Sequence, residues 1–79
     1  MSWLFVILIV FPDGGTMNAH SKVYSSEAEC RSELRRTVSK RNGYIEDQVG
    51  YFEAKASNDQ VFNWKAMCTS MESSPISDL

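Results

Sequence analysis

Two cysteines and one histidine are the residues in this sequence able to bind a soft metal or to pair a nucleophile with a base: Cys30, Cys68 and His20. A structural zinc site needs about four nitrogen or sulfur ligands in local pairs, and these three stand far apart in the chain. No metal is expected. A cysteine nucleophile needs a histidine within hydrogen-bond reach, yet His20 sits between Asn18 and Lys22 on the outward face of a predicted strand. The sequence holds no Gly-rich phosphate loop and no nucleophile elbow, and 79 residues offer little wall for a catalytic pocket. It reads as a non-enzyme that needs no cofactor.

The cysteines have two remaining uses. A disulfide between Cys30 and Cys68 would close a long loop and contribute about 3 to 4 kcal/mol by restricting the unfolded chain. Otherwise each thiol is a small buried apolar group. The choice turns on the redox compartment. Only Met1 and Ser2 precede the apolar run Trp3–Phe11, with no Lys or Arg, and Pro12-Asp13-Gly14-Gly15 leads into no small-x-small cleavage site, so the marks of a secretory signal are missing. A membrane-crossing helix needs about 20 apolar residues, more than this run supplies, so no membrane span is expected. The favoured reading is a cytoplasmic protein with free thiols. The disulfide belongs to the alternative, a disulfide-stapled periplasmic or secreted domain.

Trp3–Phe11 is rich in β-branched and aromatic residues and ends in a Pro-Asp-Gly-Gly turn, which predicts a strand and hairpin. Gly14 and Gly15 are free to take the positive φ of the reversal. The return arm, residues 16–24, alternates, with Met17, Ala19, Ser21 and Val23 expected inward. Ser26-Glu27-Ala28-Glu29 is a capping box that starts a helix, and Asn42-Gly43 is a left-handed stop. Its apolar stripe is narrow: Cys30, Leu34 and Val38, with Thr37 beside it. Residues 49–56 alternate as a strand and residues 57–60 form a turn. Residues 61–69 read as the return strand, with Phe62, Trp64, Ala66 and Cys68 on one face, although Val61, Trp64, Cys68 and Met71 also recur at helical spacing. The expected architecture is α+β, a small antiparallel ββαββ sheet with one helix on one face. Residues 1–69 form the domain and 70–79 a flexible tail.

Composition sets limits on function. The chain is 43% hydrophobic and 23% charged, which predicts a folded domain, and the net charge of -2 argues against direct nucleic-acid binding. The helix cations form no stripe, because Arg31 and Arg35 project almost opposite Arg36 and Lys40 at 100° per residue. Strand one carries the main functional signal. Trp3, Phe5, Ile7, Ile9 and Phe11 line one face and Leu4, Val6, Leu8 and Val10 the other, so both need cover, and one helix covers one face. Either the sheet curls into a small barrel, or the second face meets the C-terminal tail, the 44–48 segment, a partner protein or a second copy in a self-associating homodimer. Val6 and Leu34 are both assigned to the core.

In size, slight acidity and a compact sheet with one helix, the chain resembles the anti-CRISPR and other small host-modulating proteins of phages. The likeness is architectural: the Trp3–Phe11 strand, the Pro12–Gly15 turn and the Ser26–Glu29 cap are generic folding signals, and no functional residue transfers. The resemblance implies a phage protein in a host-virus interaction, an inhibitor that occupies a subunit surface of a CRISPR effector or other nucleic-acid-processing machine. From the residues themselves, Tyr44, Glu46, Asp47, Tyr51 and Glu53 are the partner-binding set, combining aromatic anchors with negative charge.

Overall fold

The apolar strand finds its two neighbours at opposite ends of the chain. In the computed structural model, which describes residues 2–55 and 57–71, β1 (Trp3–Val10) pairs antiparallel with β2 (Thr16–Tyr24) on one side and with the last strand on the other. Helix α1 (Glu27–Lys40) follows, then β3 (Tyr44–Glu46), β4 (Val49–Lys55) and β5 (Val61–Ser70). The five strands form one sheet in the order β2-β1-β5-β4-β3, antiparallel throughout. The α+β class is as expected and the arrangement is not. The expected ββαββ gives way to ββαβββ, because Tyr44–Glu46 turns back on β4 through Asp47 and Gln48, whose φ angles of 52° and 69° supply the two-residue reversal that a hairpin needs. Two non-glycine residues at positive φ hid that turn from the sequence pattern. The sheet stays open, with β2 and β3 as edges, so the barrel alternative fails. The helical alternative for residues 61–69 fails as well.

Local signals act as their chemistry requires. Gly14 alone takes the left-handed φ, at 92°, while Gly15 donates its N–H to Asp13 Oδ1 at 2.8 Å. At the helix start Ser26 Oγ accepts the Glu29 N–H at 3.2 Å, and the Ser25 and Ser26 hydroxyls donate back to Glu29 Oε1 at 2.6 and 3.1 Å. At its end Asn42, at φ 56°, provides the stop, and Gly43 N–H reaches the Val38 carbonyl at 3.0 Å. Ser70 extends β5, and the expected tail from residue 72 onward lies outside the described residues, as does Ala56.

The helix packs on one face only. Phe5, Cys30, Leu34, Val38, Phe52 and Ala66 are buried there with Thr37, and Trp3, Ile7, Tyr24, Ala54, Trp64 and Cys68 pack against them. Phe52 stacks on Trp64, centroids 6.0 Å apart, and the Trp64 indole N–H donates to the Ala54 carbonyl at 3.1 Å. A Cβ at Gly50 would overlap Val38 Cγ2 and approach Leu34 Cδ1 to 3.1 Å, so the absence of a side chain there lets the helix sit close. Cys30 and Cys68 are joined in a disulfide, with Cα atoms 6.1 Å apart. The free-thiol reading is thereby corrected: the first turn of α1 lies directly over β5, a proximity that the sequence separation conceals.

The facing expected for β2 is also corrected. The ladder slips between Ile7 and Leu8, which pair with His20 and Asn18, leaving Ala19 as an inserted residue that flips the alternation. Tyr24, Lys22 and His20 therefore share the helix side, where Phe5 meets both His20 and Tyr24 edge-on, and Ser21 and Val23 turn to the opposite side. Val6 also leaves the core, since it points away from Phe5.

Two outcomes follow. Breaking the Cys30–Cys68 bond by reduction or by paired Cys→Ala changes should lower stability by about 3 to 4 kcal/mol, read by thermal melts with and without reductant. Leu34→Ala should cost about 3 kcal/mol, whereas Val6→Thr should cost less than about 1 kcal/mol in urea unfolding.

Candidate interaction surface

Strand alternation carries every second residue to the face without a helix. On β1 these are Leu4, Val6, Leu8 and Val10, all half-buried. Met67 faces Val6, Lys65 faces Leu8, Asn63 faces Val10 and Thr69 faces Leu4 across the β1–β5 ladder. Val23 and Ser21 continue the face onto β2, and Val49, Tyr51, Glu53 and Lys55 continue it across β4. Among the described residues no element lies over this face. Val23, Tyr44 and Val61 are 52, 62 and 58% exposed on it. The result is an apolar strip along β1, about 20 Å long from Leu4 to Val10 at the usual strand rise, with aromatic and charged residues to one side.

Four of the five residues singled out from the sequence gather here. Tyr44 pairs with Tyr51 and their rings stack, centroids 5.3 Å apart. Glu46 lies opposite Val49 and Glu53 opposite Asn63, so both carboxylates share the tyrosines' face. Asp47 stands at the tip of the β3–β4 turn. One row across the sheet runs Tyr44, Tyr51, Lys65, Leu8, Asn18, and it joins the aromatic pair to the apolar strip. Contributors that the sequence reading left out of the set are Val61, Lys65 and Met67. Their period-two spacing in residues 61–69 was the available signal, and what it lacked was knowledge that β5 lies beside β1.

The Arg31 guanidinium fixes the acidic corner from the helix side. It donates to Glu27 Oε2 at 2.7 Å and to Gln48 Oε1 at 2.9 Å and lies 5.7 Å from the Trp3 ring, so one side chain joins α1, β1 and the β3–β4 turn. On the neighbouring stretch of α1, Arg36 clasps Glu33 through both carboxylate oxygens at 2.6 and 3.0 Å. That bond holds the Glu33 carboxyl below its ordinary pKa. Among the described residues no three His, Cys, Asp or Glu side chains converge as a metal site would need, and no helix is long and apolar enough to cross a membrane. A hollow of about 710 Å³ takes its lining from both sides of β4 and β5 near the end of α1 and is open at the surface. No family model, curated protein or solved structure matches the chain.

The hydroxyls of Ser25 and Ser26 lower the Glu29 pKa from 4.5, against a small opposing desolvation. A carboxyl depressed in the folded state stabilises it above the unfolded pKa and loses that contribution as pH falls through the folded value. Ser25→Ala with Ser26→Ala should therefore raise the Glu29 pKa toward 4.5 in a carboxyl-detected NMR titration, lower stability at neutral pH and remove the Glu29 share of the stability lost on acidification.

Proposed function

We propose that this is a non-enzymatic protein-binding domain that docks through the uncovered face of its sheet. The carrying observation is the strip Leu4, Val6, Leu8, Val10 and Met67, which is apolar, continuous across two strands and uncovered by the helix. Large exposed apolar patches on small soluble domains mark interaction sites. Stacked Tyr44 and Tyr51 supply rigid aromatic area beside the strip, and Glu46, Asp47 and Glu53 supply a negative border that selects a basic partner surface. The inhibitor of a nucleic-acid-processing complex implied by the architectural resemblance is one form of this reading, since the protein surfaces that hold nucleic acid are basic.

The buried disulfide favours a second reading of where the domain works. A small core stapled by a cystine fits an oxidising compartment, so an exported, periplasmic or secreted binding domain stands beside the cytoplasmic inhibitor. Thiol titration of denatured protein taken from its native compartment separates them: two free thiols support the cytoplasm and none supports export.

The docking surface is tested by placing a photo-crosslinking residue at position 6 or 8, with position 39 on the outer helix as control, in the natural host cell. The expected outcome is one partner captured from positions 6 and 8, not from 39, and lost by about tenfold when the strand residues Glu46 and Glu53 are changed to Lys with the melting temperature nearly unchanged. Equal capture from all three positions overturns the reading. Capture of a second copy alone replaces it with self-association.

A further inference from the structure

We infer that the groove between β2 and α1 is a second docking site, one that takes an acidic peptide segment in extended form as a sixth strand on β2. This site is independent of the uncovered sheet face. Among the described residues β2 is an edge that pairs with β1 alone, so alternate residues turn backbone N–H and C=O groups outward, the template that strand addition uses. Beside that edge lies a groove of about 440 Å³. Phe5 and Ile7 form its floor, His20 of β2 lines one wall, and Arg36, Lys40 and Arg41 come from the last turns of α1 and the residue that caps it.

The charge in this groove is one-sided. Glu33 is its one acidic residue and is already clasped by Arg36. Lys22, on the same side of β2, adds a further cation whose field reaches Glu33. Arg41 lies over the Phe52 ring at 5.2 Å and Lys40 is exposed. On the helix alone Arg36 and Lys40 share one side and Arg41 lies apart. The strand edge supplies the missing wall and turns them into a basic channel. A strand added at the usual spacing of about 4.8 Å would set every second side chain beside His20 and Lys22, facing Arg36 and Lys40, where carboxylates complement the walls.

The same features argue against other occupants. Two β2 edges paired with each other would bring His20 and Lys22 of both copies together, which an acidic strand does not. A nucleic acid would meet the phosphate-attracting walls but leave the outward amides and carbonyls of β2 without their natural partner.

The test is amide chemical-shift mapping of the intact oxidised protein with a blocked Glu-Val repeat peptide of about ten residues, against a Lys-Val peptide and an oligothymidylate of equal length. The Glu-Val peptide should shift the amides of residues 20–24 with a Kd below about 1 mM, and Lys40→Glu with Arg41→Glu should weaken it by about tenfold. The milder pair Lys40→Gln and Arg41→Gln should weaken it by about threefold, guarding against loss of fold in the reversed variant. No shift at β2, equal binding of either control ligand, shifts confined to the uncovered sheet face, or indifference to both pairs of substitutions would each overturn the assignment.

Discussion

The bond between Cys30 and Cys68 holds the first turn of α1 against β5 next to Phe5, and the remaining core contacts are arranged around that tether. From Cys30 the helix presents Leu34, Thr37 and Val38 in succession, a stripe so narrow that it seals one line of the sheet, over Phe5, Ala66 and Phe52. A stripe this thin gives little hydrophobic stabilisation by itself, and small domains commonly add a covalent staple for that reason. The tether also sets direction. It pins the amino end of the helix, and Gly50 removes the side chain that would otherwise lift Val38 and Leu34 away.

That geometry leaves β1 asymmetrically covered. Its odd-numbered side chains are enclosed by α1 and by aromatic neighbours from β2 and β5, while Leu4, Val6, Leu8 and Val10 receive cover only from adjacent side chains in the sheet. Sheets apolar on both faces are ordinarily covered on both, and no other described element is placed to do it. Among the described residues one helix meets two apolar sides, and the uncovered face follows from that.

Much of this was legible in the sequence because the relevant signals are local. The capping serine, the Gly14 turn, the two-sided apolar strand and the alternation of residues 61–69 each depend on residues within a few positions of one another. What was not legible depends on distance or on a single inserted residue. Ala19 reverses the facing of β2 without any change in composition, and Asp47 and Gln48 make a hairpin turn without a glycine, so β3 gave no punctuation to read. The disulfide needed the knowledge that β5 returns beside β1. The tyrosine and carboxylate set was found through residue type, and its coherence came from the β3–β4 hairpin, which that reading did not contain.

The same limitation explains why the helix cations looked unremarkable. A helical wheel compares residues on one element, and by that measure Arg36, Lys40 and Arg41 are answered by the helix dipole, which favours positive charge near the carboxyl end. The dipole accounts for their position along the axis but not for their side. That is decided by the sheet, because β2 lies at one edge and its inserted Ala19 leaves His20 on the helix side. Glu46, Asp47 and Glu53 border the uncovered face beside Lys55 and Lys65, while Arg36, Lys40 and Arg41 gather at the β2 groove, so the domain separates an acidic corner from a basic groove. With a net charge of -2, it is this separation, more than the total, that determines which partners each side can approach.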